Sequence, residues 1–292
     1  MIKLVACDLD GTLFNSNMEI SEENRKAIVA AQNNGIEFLV ATGRAPKESK
    51  ILLKDANIQT GFINLNGALV FDVNNNLIVK HPLPQEKANK LISYLNNAGF
   101  YYEILTAEHV YSQDLSQRIA NVAHVMVNLN PGMTFKEAVA STASSKSILN
   151  ITQVNSFDDF YNNFAEEIMK IIVFDSRGPA AFTETKDFID KLGGLVVSSS
   201  SINNIEINFE KAQKGIALLD YAKAKGIEIS ETAAIGDNLN DISMIRDAGV
   251  GVAMGNAVSA IKQIADIETT TNNENGVAKI LNKFIAENRH EG

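Results

Sequence analysis

Short apolar runs alternate with helical patterns at the start of this chain, and the alternation limits the folds that the chain can adopt. The apolar runs, each with the length of a buried strand, lie at residues 2–6, 36–41 and 61–68. Between them, one helix is predicted to begin at Ser21 and another to span Pro46 to about Ala56. Parallel strands need such crossover connections, so this order predicts a parallel sheet. We therefore expect an α/β fold with a Rossmann-like core, in which ligands bind beyond the carboxyl ends of the strands.

Two carboxylates follow the first apolar run directly. Side chains two apart on a strand share a face, so Asp8 and Asp10 should point into the same space before the chain turns at Gly11. Two anions so close repel each other, and a divalent cation would relieve the repulsion. A carboxylate that is kept ionised and away from water is also a nucleophile toward a phosphate ester. The alternative interpretation is a plain turn, since Asp and Gly are common turn residues.

Further side chains suited to phosphate chemistry lie at the ends of later elements. A hydroxyl, a glycine and a cation follow the second strand, at Thr42, Gly43 and Arg44. Thr42 would donate a hydrogen bond to a phosphate, Gly43 would let the main chain approach it closely, and Arg44 would add positive charge. Lys214 begins a helical pattern, where an ammonium group would neutralise a nucleophile and a transferring phosphoryl group. Lys211 is a nearby competitor for that role.

The apolar run at residues 233–235 ends at Gly236, and the loop that follows, at residues 237–241, is rich in side-chain oxygens that can bind a metal ion. Such ligands suit Mg²⁺, which takes one or two carboxylates and keeps several waters. Asp8, Asp237 and the main-chain carbonyl of Asp10 are a suitable set of protein ligands. Asn240 or Asp241 could instead cap the short helix that follows. The metal interpretation and the capping interpretation are compatible with each other.

The four segments, in this order, resemble the signature motifs of the haloacid dehalogenase superfamily. The matching residues are Asp8 to Thr12, Thr42 to Arg44, Lys214, and Gly236 to Asp241. The resemblance implies that Asp8 is the nucleophile and that Asp10 is the general acid and base. It further implies that Asn240 supports the phosphate or the nucleophile, and that Asp241 holds a metal-bound water or orients the loop.

A change of pattern between the second and third motifs predicts an inserted domain. Two of the five prolines fall together at residues 82 and 84, where they exclude a central strand or helix, and Gly193-Gly194 marks a second crossing. We expect a discontinuous core of residues 1–83 and 195–292, with an inserted α/β domain at residues 84–194. The resemblance assigns the insertion to the large C2-type cap of Cof-like phosphatases, and hence to a lid over the substrate. From residue 195 we expect core strands to resume.

Composition limits the classes of partner that we expect and indicates the cellular compartment. The net charge of -9 argues against nucleic acid, whose phosphates need a basic face. No apolar run is long enough to span a bilayer, and no leader precedes the first strand, so we expect no membrane partner. Cys7 is the single cysteine, which excludes an internal disulfide and suits the cytoplasm. We expect a monomer or small homo-oligomer whose partner is a small phosphorylated metabolite.

The function that we predict is Mg²⁺-dependent hydrolysis of small phosphorylated metabolites, sugar phosphates above all, through an aspartyl phosphate. A phosphomutase of the same superfamily would keep the same motifs but protect the aspartyl phosphate from water. A catalytically silent metabolite-binding protein on this scaffold is a third alternative. A dehalogenase would need neither Asp10 nor Asp237. The side chains that select the substrate should lie in the insertion.

Overall fold

The computed structural model of the protein describes residues 1–55, 58–129, 132–144 and 151–291. Ala56, the predicted end of the second helix, lies outside the described residues, as do residues 130–131 and 145–150 of the predicted insertion. The chain divides into two compact units, one of Met1–His81 with Lys211–Gly292 and the other of Pro82–Glu210.

Strands and helices alternate along much of the chain, which confirms the α/β prediction. The described strands are, in chain order, β1 (Leu4–Asp8), β2 (Glu37–Ala41), β3 (Gly61–Asn64), β4 (Leu69–Phe71), β5 (Leu77–Lys80), β6 (Tyr101–Leu105), β7 (Val110–Ser112), β8 (Ile151–Gln153), β9 (Lys170–Phe174), β10 (Leu195–Ser198), β11 (Asn204–Phe209), β12 (Thr232–Gly236), β13 (Val250–Ala253) and β14 (Ile267–Glu268). The described helices are α1 (Glu22–Asn33), α2 (Pro46–Asp55), α3 (Gln85–Ala98), α4 (Leu115–Leu129), α5 (Phe135–Ala143), α6 (Phe160–Phe164), α7 (Thr183–Leu192), α8 (Lys214–Lys225), α9 (Ile242–Asp247), α10 (Ser259–Lys262) and α11 (Gly276–Glu291).

The first unit contains an eight-stranded sheet with the strand order β14-β13-β12-β1-β2-β3-β4-β5. Neighbours from β14 to β3 are parallel, whereas β4 and β5 are added antiparallel at one edge. Strand β1 is central and buried throughout, as is usual for a parallel strand that is covered on both faces. The chain leaves β1 toward β2 on one side and returns to β12 on the other. The carboxyl end of β1 is therefore a topological switch point, where open α/β sheets bind ligands.

Helix α1 begins after Ser21, as the sequence predicts. The hydroxyl oxygen of Ser21 accepts a hydrogen bond from Asn24 N at 3.1 Å, which satisfies one of the donors that the first turn of a helix leaves free. Ala27, Ile28 and Ala31 then pack into the apolar core of the first unit. This helix supplies the crossover that parallel pairing of β1 and β2 requires.

The second unit has its own sheet and its own apolar core. The strand order is β10-β11-β9-β6-β7-β8, and the pairs are antiparallel except for β7 with β8. Its core includes the fully buried side chains of Ile104, Phe157, Ile171 and Ile207. Among the residues that the structure describes, the cores of the two units have no member in common.

The strands that follow residue 194 differ from the expectation. They are expected in the core of residues 1–83 and 195–292, but β10 pairs with β11, and β11 pairs with β9, in the second sheet. The reason is alternation along β11, since Ile205 and Ile207 are two apart and both enter the second core. Gly193 and Gly194, the predicted second crossing, instead lie at the end of helix α7. Both have a φ of +65°, a conformation that glycine adopts without strain.

None of the described helices combines the length and the apolar character that a bilayer crossing requires.

Candidate active site

Three carboxylates gather at the carboxyl end of β1. Because β1 and β12 are parallel and paired with Cys7 level with Ile235, Asp8 and Asp237 emerge at the same edge of the sheet. A single turn of 3-10 helix after Asp237 ends at Asp241 and returns that side chain to the edge. One oxygen from each of the three carboxylates lies within 4.8 Å of the other two. The sheet register therefore assembles a concentrated negative charge.

Lys214 is the cation inside this cluster. It is the first residue of α8, and its side chain is 0% exposed. Its Nζ donates to Asp8 Oδ1 at 2.5 Å and to Asp241 Oδ1 at 2.6 Å. Burial disfavours the charged form, but the two carboxylates raise the pKa of Lys214 above its ordinary value, so it remains an ammonium group. The competitor Lys211 lies on the surface.

The cluster has more negative than positive charge. Asp8, Asp237 and Asp241 share one ammonium group, Lys214, so full ionisation leaves two negative charges unbalanced. Burial, followed by the charge of Asp241, raises the pKa of Asp8 well above its ordinary value. The same two causes raise the pKa of Asp237 to about 7. A divalent cation would remove this imbalance.

The donor atoms of the cluster fit Mg²⁺, a hard cation that prefers oxygen ligands. Asp8 uses one oxygen for Lys214, and Asp237 uses one for the hydroxyl of Thr12 at 2.7 Å, so each retains a second oxygen. Asp241 has both oxygens engaged, because Oδ2 accepts from the main-chain N–H groups of Asp237 and Asn238, each at 3.0 Å. Asp8 and Asp237 are therefore the better side-chain ligands, and the contribution of the Asp10 carbonyl stays a prediction.

The turn after β1 is fitted to Asp237. Gly11 has a φ of +87°, and a Cβ atom there would lie 2.6 Å from Asp237 Oδ2. Glycine is thus required both for the conformation and for the space. The adjoining Thr12, to which the sequence analysis gave no role, donates its hydroxyl hydrogen to Asp237. Its position directly after Gly11 was the signal that could have identified it.

Asp10 lies outside the Lys214 cluster and pairs with Arg44. The guanidinium group donates from Nε to Asp10 Oδ2 at 2.8 Å and from Nη2 to Oδ1 at 2.6 Å, which is a bidentate pair. Burial is the largest single influence on the pKa of Asp10 and raises it, but the charge and hydrogen bonds of Arg44 and the charge of Lys214 together outweigh it, so the net shift is downward. The sequence predicts separate roles for Asp10 and Arg44, whereas the structure makes them partners.

The loop after β2 is held by polar groups at the end of β3 and in the turn that follows it. Thr42 is buried, and its hydroxyl oxygen accepts from Arg44 N at 3.2 Å, so its hydroxyl hydrogen can still be donated to a phosphate. The Arg44 carbonyl accepts from the side chain of Asn64 at 3.2 Å, and the Thr42 carbonyl accepts from Asn66 N at 3.1 Å. Asn64 is a supporting residue that the sequence analysis missed.

Asn240 and Asp241 occupy different environments. Asn240 is half-buried, and within the described residues its side chain has no hydrogen bond, so the structure does not connect it to the carboxylate cluster. Asp241 makes no side-chain bond to the start of α9, and the capping interpretation is therefore wrong for it. Its bonds to two main-chain N–H groups and to Lys214 are those of a residue that orients the loop.

Comparisons with known proteins find similar chains over nearly the full length. A family model described as haloacid dehalogenase-like hydrolase matches residues 5–281. Phosphatase YwpJ of Bacillus subtilis (strain 168) is 35% identical over 97% of this chain and 100% of its own. The 5-amino-6-(5-phospho-D-ribitylamino)uracil phosphatase YwtE of the same organism is 31% identical over 98% of this chain and 99% of its own. The solved structure of a haloacid dehalogenase-like hydrolase from B. subtilis has a TM-score of 0.86 at 33% identity, covering 96% of this chain and 99% of its own.

Proposed function

Since the chain belongs to the haloacid dehalogenase-like hydrolases and is a phosphatase of that family, we propose that it hydrolyses phosphate monoesters of small metabolites, above all sugar phosphates, through an aspartyl phosphate and with Mg²⁺. The observation that carries this proposal is the buried contact of Lys214 with Asp8. The ammonium group holds one oxygen of Asp8. The other oxygen has no hydrogen bond to any described residue. One of the two Asp8 oxygens attacks phosphorus, and the other would be the metal ligand.

Two proton transfers accompany the proposed reaction. In the first half, an Asp8 oxygen forms a bond to phosphorus as the ester bond breaks, and the departing oxygen takes the proton of the Asp10 carboxyl group. In the second half, the Asp10 carboxylate removes a proton from water. The water oxygen then attacks phosphorus and releases Asp8. The ester and one water become an alcohol and inorganic phosphate, and both aspartates are regenerated.

The pair of Asp10 with Arg44 is the starting state of this reaction. A guanidinium group binds phosphate in the same bidentate geometry as a carboxylate, so we infer that the substrate takes Arg44 from Asp10. Loss of Arg44 removes the charge that lowers the pKa of Asp10, and the protonated form that the first half needs becomes accessible. Thr42 and Lys214 would donate to other phosphoryl oxygens.

Asp8, Asp237 and the carbonyl of Asp10 would hold Mg²⁺. When bound, the ion supplies positive charge that lowers the pKa of Asp8 and stabilises negative charge on the transferred phosphoryl group. Asp241 keeps Lys214 and the two N–H groups of the loop in place around these ligands.

The substrate class is supported by one relative. YwtE is named for a compound whose phosphate is carried by a ribityl chain. A ribityl chain and a sugar present the same chemistry near the phosphate, an alkyl ester flanked by hydroxyl groups. We therefore propose that the substrate is a phosphorylated polyhydroxy compound.

Replacement of the nucleophile tests the proposal. We expect Asp8→Asn to lower kcat by at least about a thousandfold, because the amide cannot form the covalent intermediate, while circular dichroism stays unchanged. Inorganic phosphate release from p-nitrophenyl phosphate and a panel of sugar phosphates would be measured with Mg²⁺ and with EDTA. Asp190→Asn, an exposed change on α7, is the control. Substantial turnover by Asp8→Asn at saturating Mg²⁺ would contradict the mechanism.

The same panel separates the alternatives. Formation of an isomeric sugar phosphate without phosphate release would identify a phosphomutase. Binding without turnover of any ester would identify a catalytically silent protein. Equal activity with Mg²⁺ and with EDTA would remove the metal from the proposal.

A further inference from the structure

The turn that carries Asp10 is held from outside by a side-chain amide. Asn256 lies in the loop after β13, and its Nδ2 donates to the carbonyl oxygen of Gly11 at 2.8 Å. Its Oδ1 accepts from Asn272 N at 3.0 Å. A carbonyl only accepts and an N–H group only donates, so the two partners fix the orientation of the amide. Both ends of Asn256 are therefore committed.

A second amide extends the contact. Asn272 Nδ2 donates to the carbonyl oxygen of Phe14 at 2.9 Å. Asn256 and Asn272 thus bind the main chain on both sides of Thr12, which is bonded to Asp237. Gly11, the residue directly after Asp10, is the first of these attachment points.

The loop of Asn256 also contacts the loop of Asp237. Two residues beyond Asn256, Val258 N donates to the carbonyl oxygen of Asp237 at 2.9 Å. One short segment therefore fixes the main chain next to Asp10 and the main chain at Asp237. A shift of about 1 Å in a catalytic group can lower a rate by about a hundredfold. Hydrogen bonds that fix the main chain at this position are therefore expected to affect the reaction rate.

We propose that Asn256 is a positioning residue that holds Asp10 where it can protonate the leaving group. The inference rests on the proposed function, in which the Asp10 carboxyl gives its proton to the ester oxygen as the bond to phosphorus breaks. Asn256 touches neither substrate nor phosphorus in this scheme. It acts through the Gly11 carbonyl on the turn that carries Asp10.

The leaving group provides the test. A nitrophenolate ion departs without a proton, whereas an alkoxide needs one. For Asn256→Ala we expect kcat/KM to fall at least about tenfold with glucose 6-phosphate, but less than about threefold with p-nitrophenyl phosphate. Asn256→Asp keeps the acceptor for Asn272 and loses the donor to Gly11, so it should show the same split. Asn256 is exposed, and we expect Tm to change by less than about 2 °C.

Asn273→Ala is the matched control. Asn273 is also an exposed asparagine, and its Oδ1 accepts from the main-chain N–H of Ser16 at 2.9 Å, farther from Asp10 along the chain. We expect wild-type kcat/KM with both esters. The proposal would be overturned if Asn256→Ala lowered kcat/KM equally with the two esters, or if either Asn256 variant behaved like the wild type. It would also be overturned if Asn273→Ala lowered kcat/KM as much as Asn256→Ala does.

A measurement that needs no turnover distinguishes failure of this inference from failure of the proposed function. If the wild type hydrolyses neither ester with Mg²⁺, the proposed function fails. Hydrogen exchange of the peptide covering residues 9–16 then shows whether Asn256 holds the turn that carries Asp10. Faster exchange in Asn256→Ala than in Asn273→Ala supports a positioning tie, and equal exchange overturns it.

Discussion

The four aspartates of the candidate active site differ in how their charge is balanced. Asp10 has a guanidinium group of its own, whereas Asp8, Asp237 and Asp241 share Lys214. The raised pKa of Asp237 is the direct result, because burial and the charge of Asp241 both disfavour its ionised form. Without a bound cation, ionisation of Asp237 therefore lowers the stability of the fold.

The raised pKa of Asp237 gives stability a defined pH dependence. An aspartate whose pKa is about 7 in the folded state and near 4 in the unfolded state contributes stability that is fully present below about pH 4 and lost as the pH rises through 7. We expect Asp237→Asn to raise the free energy of unfolding in EDTA by up to about 4 kcal/mol at pH 8 and by about a third of that at pH 5. Urea unfolding at both pH values measures this.

Addition of Mg²⁺ should reverse the order of the two proteins at pH 8. The wild type gains stability from a ligand that binds only the folded state, whereas Asp237→Asn has lost a carboxylate ligand. Asp190→Asn should match the wild type throughout. A lower stability of Asp237→Asn in EDTA at pH 8 would show that the carboxylate is not a source of strain.

The residues of the cluster were predictable, but their supports were not. Asp8 ends β1, Asp237 directly follows β12 and Lys214 begins α8, and those positions leave a local pattern in the sequence. Asn256 contacts a carbonyl 245 positions away, and a bond between a side chain and distant main chain leaves no such pattern. The pairing of Asp10 with Arg44 was hidden for another reason, since each side chain already suited a separate task.

At the scale of elements, the position of Lys214 depends on close contact between α8 and α9. Gly215 follows Lys214, and its N–H donates to Ser243 Oγ at 3.0 Å. A Cβ atom on Gly215 would lie 2.4 Å from the main-chain oxygen of Ser243. The Lys-Gly pair that opens α8 is therefore explained by packing, which periodicity alone does not reveal.

This contact reverses the usual effect of alanine in a helix. Replacing glycine by alanine in a helix ordinarily stabilises by up to about 1 kcal/mol, but Gly215→Ala must separate α8 from α9. We expect it to lower the free energy of unfolding by about 1–3 kcal/mol and to lower kcat through the displaced Lys214. Urea unfolding and turnover of p-nitrophenyl phosphate measure the two effects.

Gly132→Ala is the control for a glycine replacement without a close contact. Gly132, which precedes α5, has no positive φ, and beyond its chain neighbours no atom of the described residues lies within 4 Å of its Cβ position, so we expect a change within about 0.5 kcal/mol. Stability of Gly215→Ala equal to that of the wild type would show that the helices separate without cost.

The strands β10 and β11 show where element prediction failed. Their existence was predictable from apolar runs, but their sheet was not, because a glycine pair suits a helix end and a domain crossing equally well. Sheet membership was decided by the pairing of β11 with β9, a contact between distant segments.

At the scale of the whole molecule, the two cores are built from separate sets of residues. The sequence predicts an inserted domain at residues 84–194, and the compact unit spans Pro82–Glu210. We propose that the two units unfold independently. Phe38 and Phe157 test this, since each is almost fully buried and each belongs to a different core.

Calorimetry of the full chain should resolve two transitions if the units are independent. Truncation of a buried phenylalanine costs about 3–5 kcal/mol, so Phe38→Ala should lower the Tm of one transition and Phe157→Ala that of the other. Mg²⁺ should raise the transition that Phe38→Ala lowers, because Asp8, Asp237 and Asp241 all belong to the first unit. A single transition that both variants lower equally would mean that the chain unfolds as one cooperative body. In that case a loss of activity after a change in the insertion could not be assigned to substrate selection without a measurement of stability.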